Sequence, residues 1–346
     1  MLIRRIAACC FAGTLALASV ATAQEPKVET LVEGLTNPTG LAFQPETGVL
    51  FVADSGASKV VRVVDGKAQD VIVNFGEDVY GKGPKYVIGP LGLHFLDKQT
   101  LLVGGGGFPD QKDKLYVFEL PEEQTEPLTA EQAKETYELG QEGDVPPEGN
   151  YYALAADATG VYVTANGDDT KGWVAKLALN GTKRGPFTRF IATKEAIGVD
   201  APVGIAMSPR GEIVVGQMGE INLPTDSQLS FYSPKSGELL MNLAAGLHDI
   251  AGVAYSPKGR LYAVDFAWLD ASEGGLFQLV SDSQGGEQTI TPKKIAAIDK
   301  PTALTFGPDG SLYITAIGSP AQGAEGGKEG LEAAGAGKVF KIGPGL

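Results

Sequence analysis

A six-fold internal repeat constrains this chain more than any other feature in it. Each copy runs through a turn, a small residue, a short apolar strand, a Gly-centred turn and a second apolar strand. The copies begin at Asn37, Gly89, Asn150, Ala201, Asp249 and Lys300. With Gly40, Gly92, Ala153, Gly204, Gly252 and Ala303 as register marks, the intervals are 52, 61, 51, 48 and 51 residues. A near-constant period of this length, built from short strands, predicts blades stacked around an axis. The expected fold is all-β: a six-bladed β-propeller of four-stranded antiparallel blades.

The first strands, such as Leu41 to Phe43 and Ile205 to Met207, are apolar with small residues, as suits strands buried on both faces beside the axis. Turns such as Ser208-Pro209-Arg210-Gly211 and Ser256-Pro257-Lys258-Gly259 have hairpin chemistry, with Pro setting φ and Gly accepting positive φ. Second strands (Leu50 to Ala53, Leu261 to Val264) and third strands (Val60 to Val64, Leu115 to Leu120) are β-branched and aromatic. Fourth strands are expected at Leu239 to Leu243 and Lys294 to Ile298. Val28 to Val32 has no preceding blade, so it is expected to join Lys338 to Ile342 as the outer strand of the last blade, removing the ring's open edges. Residues 24–346 then form one domain. Residues 121–150, with nine acidic residues against one lysine, read as a solvated insertion in which Thr129 and Gln132 are spaced as a capping box. The Gly- and Ala-rich residues 318–337 read as a loop.

Residues 1–23 carry Arg4 and Arg5, an apolar run from Ile6 to about Val20, and a small-x-small end at Ala21-Thr22-Ala23. This is the pattern of a secretory signal peptide cleaved near Ala23, with a run too short for a membrane anchor. The expected destination is the periplasm or the extracellular medium. Both cysteines, Cys9 and Cys10, lie in the leader, so the remaining 323 residues have neither disulfides nor thiol chemistry. Loss of Arg4 and Arg5 takes the formal charge from −14 to −16, which repels nucleic acid and anionic membrane. The expected partner is a small molecule or a protein; the repeat does not specify an oligomeric state.

The segment from Pro38-Thr39-Gly40-Leu41-Ala42-Phe43 through Val52-Ala53-Asp54-Ser55, repeated along the mature chain, resembles the NHL and SMP-30/gluconolactonase-like six-bladed propellers. That resemblance implies the fold, and it implies lactonases, other hydrolases or pure binding modules as functions. In the hydrolytic members of the SMP-30-like group, a divalent cation on the axis is held by Glu, Asn and Asp at the residue before the small register mark. Here those positions are Thr39, Leu91, Tyr152, Val203, Ala251 and Thr302, none of them a carboxylate or amide. Hard cations require oxygen donors of that kind, so the metal-dependent activity does not carry over, and no cofactor is predicted. A divalent cation such as calcium, held by displaced carboxylates at Asp54, Asp249 and Asp265, is the alternative.

The meander places the loops entering first strands and leaving second strands on one face. Ligand-binding candidates there are Asp54, Asp168, Gln217, His248, Asp249, Asp265 and Trp268. His248 beside Asp249 suits a base and its carboxylate partner, but no Gly-x-Ser-x-Gly elbow accompanies it. His94 falls inside a first strand and reads as a core or channel histidine. The leading expectation is an exported binding module without catalytic residues, and the alternative is a lactonase or related hydrolase. A third reading, a module of an extracytoplasmic assembly, requires a large exposed apolar patch.

Overall fold

In the computed structural model, the described residues are 26–346 apart from 82–83, 110, 167–170, 286, 320–330 and 332–335. Residues 1–23, expected from sequence to be a leader, lie outside them. Six small antiparallel sheets form a ring, each meandering outward from an axial first strand. Blade 1 runs Pro38–Phe43, Leu50–Asp54, Lys59–Val64 and Lys67–Val73. Blade 4 runs Pro202–Met207, Ile213–Gln217, Gln228–Tyr232 and Leu239–Ala244. Blades 3 and 5 follow the same plan from Tyr151–Asp157 and Ile250–Tyr255. In blade 6, Pro301–Phe306, Leu312–Ala316 and Gly337–Ile342 are completed by Val28–Leu35, which pairs antiparallel from Val28↔Ile342 to Leu35↔Gly337. The two ends of the ring thus share a sheet, as the pattern at Val28 predicts.

The small register residues have a steric cause. A Cβ on Gly40 would lie 2.2 Å from the Leu91 carbonyl oxygen, and one on Gly92 would lie 2.7 Å from that of Tyr152. A Cβ on Gly204 would meet Gly252 Cα at 2.8 Å. Neighbouring first strands therefore touch backbone to backbone around the axis. The second strands are buried along their whole length in blades 1, 4, 5 and 6. Threonine hydroxyls latch one blade to the next: Thr164 donates to Val203 O at 2.8 Å, and Thr302 to Pro38 O at 2.7 Å. The second of these crosses the seam between blades 6 and 1. At the far end of the first strands, Gly211 and Gly259 hold φ of 83° and 75°, the conformation those turns require.

Three elements differ from the sequence reading. The acidic segment 121–150 is built into the ring: Glu135–Tyr137 is the fourth strand of blade 2, and Leu128–Thr129 pairs parallel to Ile72–Val73 of blade 1. Its charge is accommodated because those strands are sheet edges, and Arg184 of blade 3 reaches Glu135 at 2.7 Å. The Thr129–Gln132 capping box is present, around a single 3-10 turn. The outer strand of blade 5 spans Glu287–Ala296, earlier than expected, because the third strand Gly275–Gln284 is extended into a long hairpin. An additional hairpin, Asp78–Tyr80 paired with Tyr86–Ile88, rises between blades 1 and 2. Among the described residues no helix is long and apolar enough to cross a membrane.

The contact at Gly40 gives a direct test. Gly40→Val is expected to destabilise the protein by about 1–3 kcal/mol or more, since backbone must shift to admit the side chain. Gly140→Ala, where nothing lies within 4 Å of the added Cβ, is expected to leave the urea midpoint nearly unchanged. Equal midpoints for the two variants would refute the steric account.

Candidate functional site

The residues preceding the register marks converge on the axis, where the marks themselves carry at most a methyl group. Thr39, Leu91, Tyr152, Val203, Ala251 and Thr302 all line one chamber of about 60 Å³ at the upper end of the first strands. A single water needs about 10–15 Å³, so the chamber has room for more than one. Tyr152 forms its floor. From blade 3 its ring spans the axis, and its hydroxyl donates to Thr302 O of blade 6 at 2.9 Å. Burial pushes the Tyr152 pKa well up, which keeps that donor protonated. Tyr152 also lines a lower channel of about 480 Å³ and so divides the axis into two compartments. His94 faces that lower channel, where burial lowers its imidazole to about 4 and keeps it neutral.

The roof is aromatic. Tyr80 and Tyr86 of the extra hairpin meet Phe266 and Trp268, which follow the second strand of blade 5. Ring centroids are 5.6 Å apart for Tyr86 and Trp268 and 4.6 Å for Phe266 and Trp268. The Lys300 ammonium sits 5.5 Å from the centroid of the Tyr86 ring, in cation–π range. Two polar atoms of the chamber's lining residues are buried without a hydrogen-bond partner: the Trp268 Nε1 donor and the Asn166 Oδ1 acceptor.

The residues singled out in the sequence divide into distinct groups. Asp54, Gln217 and Asp265 end the second strands of blades 1, 4 and 5, and all three are buried. Each holds the loop entering its own blade. Asp54 Oδ1 accepts from Thr36 N at 2.6 Å, Gln217 Nε2 donates to Val199 O at 2.6 Å, and Asp265 accepts from His248 N and Asp249 N at 2.9 and 2.8 Å. His248 Nδ1 lies 3.4 Å from Asp265 Oδ2. Asp249 Oδ2 accepts from Trp268 N at 2.7 Å, while its Oδ1 is buried without a partner. Burial raises the Asp249 carboxyl to about 7, against the lowering effect of that backbone N–H, and raises Asp54 to about 6. Trp268 is the one candidate that lines the chamber. Asp168 lies outside the described residues. The reading from sequence missed Tyr80, Tyr86, Asn166 and Phe266; the two tyrosines were signalled only by their place between the last strand of blade 1 and the next repeat.

The axial donors do not fit a divalent cation. Thr39, Tyr152 and Thr302 offer only neutral hydroxyl oxygens, each donating to a main-chain carbonyl, with no carboxylate or amide oxygen among the six, and the other three side chains are apolar. Of the displaced carboxylates, Asp54 stands in blade 1 and Asp249 and Asp265 in blade 5. Among the described residues no three His, Cys, Asp or Glu side chains group to hold a metal ion.

No protein-family model matches this chain, and no curated protein matches it. Solved structures do match. A gluconolactonase from Xanthomonas campestris is 13% identical over 92% of this chain and 90% of its own, with a TM-score of 0.56. The PQQ-bound form of an aldose sugar dehydrogenase from Streptomyces coelicolor is 15% identical over 91% and 98%, with a TM-score of 0.56. A calcium-binding protein, regucalcin, from Agrobacterium tumefaciens is 14% identical over 92% and 94%, with a TM-score of 0.55. At these identities the likeness establishes the fold: the neighbours are six-bladed propellers of the SMP-30/gluconolactonase-like kind, as the sequence resemblance implies. Most of them are enzymes. The PQQ of the Streptomyces protein is a tricyclic tricarboxylate; among the described residues no lysine or arginine lines the chamber, so this set of residues does not fit it.

The elevated Asp249 carboxyl has a signed consequence. Its folded value of about 7 lies above its ordinary 3.8, so the folded state holds a proton that the unfolded chain releases. Stability is therefore greatest below the ordinary value and is lost as pH rises from about 4 to about 7. Asp249→Asn is expected to flatten the fall in melting temperature over that window and to exceed the parent protein at pH 8. Parallel profiles would show that Asp249 does not carry the effect.

Proposed function

We propose that this is an exported protein that acts on a small, neutral, hydroxyl-bearing organic molecule at the mouth of the axial chamber, whose volume of about 60 Å³ admits one hydroxyl-bearing end of it. The observation that carries the reading is the pair of unpartnered buried atoms among its lining residues, Trp268 Nε1 and Asn166 Oδ1. Leaving a buried donor or acceptor unsatisfied costs about 1–3 kcal/mol each. A hydroxyl both accepts and donates, and the surrounding rings supply apolar faces for the carbon skeleton.

Of the two forms of this reading, the structural neighbours favour the enzyme. They include a gluconolactonase and a sugar dehydrogenase, which supports a lactonase or related hydrolase acting on a sugar-derived ring. With no fitting axial cation set, the acid–base work falls to protein groups. Asp249 does not line the chamber, but its carboxylate accepts from the backbone of Trp268, which does, and it titrates at about 7, close to where a general acid or base works best once the ligand reaches it. His248 stands beside it, with its side chain 27% exposed. The binding-module form is favoured by the six axial side chains, which offer no carboxylate for chemistry.

One experiment separates these forms. The sequence has two tryptophans, Trp173 and Trp268, so Trp173→Phe leaves Trp268 as sole reporter for titration with sugars and sugar lactones, with turnover followed by pH-stat. Saturable quenching with lactone hydrolysis that falls at least tenfold in Asp249→Asn supports the enzyme. Quenching without hydrolysis supports the binding module. No saturable response to any of these compounds rejects the proposed site.

A further inference from the structure

We infer that the outer groove between blades 4 and 5 binds an amphipathic carboxylate, with the apolar body in the groove and the carboxylate at Arg210 and Arg260. This inference is independent of the axial chamber: the groove's turns, 208–212 and 256–260, lie at the opposite ends of the first strands.

The groove has a volume of about 480 Å³, within the range of about 300–1,000 Å³ typical of small-molecule sites. Its floor is apolar, with Phe231, Met241 and Leu243 from blade 4 facing Leu261, Leu279 and Ile290 from blade 5. Among the described residues, one exposed large hydrophobic residue lines the groove and two more precede Met241 in its strand. Val280, which lines the groove, is 40% exposed, and Leu239 and Leu240, which adjoin Met241, are 38% and 54% exposed. That apolar surface is left uncovered on an otherwise acidic protein.

The charge distribution decides the ligand's polar end. Five arginines lie among the described residues. Arg184 and Arg189 pair with Glu135 and Glu142, and Arg62 donates to Gln69. The remaining two, Arg210 and Arg260, make no side-chain hydrogen bond or ion pair among the described residues, and both line this groove. Against them stands Glu212, the one carboxylate of the described lining, which accepts from the Ser208 hydroxyl at 2.9 Å and leaves the lining with a net positive charge. On a chain with a formal charge of −14, two free guanidinium groups beside an apolar trough form a local anion site. Arginine's planar donor fork matches a carboxylate, and its weak hydration lowers the cost of pairing next to apolar surface.

The test uses octanoate, with 1-octanol as its uncharged counterpart, measured by calorimetry on the full mature chain. Octanoate is expected to bind at one site and to weaken about tenfold to a hundredfold in the double variant Arg210→Gln/Arg260→Gln, the loss expected for charge-assisted hydrogen bonds. Neither arginine side chain has a hydrogen bond or ion pair to lose among the described residues, so the double variant is expected to keep the parent melting temperature. Val280→Asp, which puts a like charge on the lip, is expected to weaken octanoate as well, whereas Trp268→Phe leaves it unchanged. The inference is overturned if octanoate does not bind the parent protein at millimolar concentration, if the double variant binds it equally well, or if octanol matches it.

Discussion

Backbone contact around the axis is the constraint on which the rest of this structure depends. Where Gly40 meets Leu91, Gly92 meets Tyr152 and Gly204 meets Gly252, there is no space for a side chain. Six first strands can approach this closely only if each contributes a residue without bulk at the same height. The repeat enforces that condition with glycine four times and alanine twice. Once the strands touch, second strands are sealed between neighbouring blades, and threonine hydroxyls reach carbonyls across the interfaces. Packing of this closeness transmits any change in volume directly to the adjacent blade.

The same constraint hands the chemistry of the axis to the residue one position earlier. In this chain that position carries hydroxyls, aliphatic groups and one tyrosine. Tyr152 converts what could be a through-channel into two chambers, because its hydroxyl finds an acceptor on the opposite blade. The aromatic roof from Tyr86, Phe266 and Trp268 then gives the upper chamber an apolar cover. The axis has the geometry of the propeller fold without the carboxylate and amide donors that a hard cation requires.

Much of this was legible in sequence. The period located all six blades, and the unpaired apolar run at Val28 located the closing strand. The exclusion of an axial carboxylate set required only the register. What periodicity could not reveal were contacts that join distant loops. The hairpin bearing Tyr80 and Tyr86 interrupts the repeat, so it has no counterpart to align with, and its value lies in meeting Trp268 across the ring. Acidic residues posed the reverse difficulty. Asp54 and Asp265 sit in exposed-looking turns yet are buried as backbone acceptors. Glu135, in a strongly acidic stretch, edges a blade because Arg184 stands opposite. Polarity alone does not distinguish a ligand group from one that folds its own loop.

Closure of the last blade by Val28–Leu35 couples the earliest and latest parts of the described fold, with Val28 beside Ile342. Contacts of such sequence separation cannot form until nearly the whole chain is present, and their loop-closure entropy must be met before they return any stabilisation. Blades 1 to 5 can assemble from local hairpins, but the ring has no complete sixth blade until its two ends meet. Folding is therefore expected to finish at the seam, and a nascent chain lacking its final strand stays open and unlatched however well its other blades have formed.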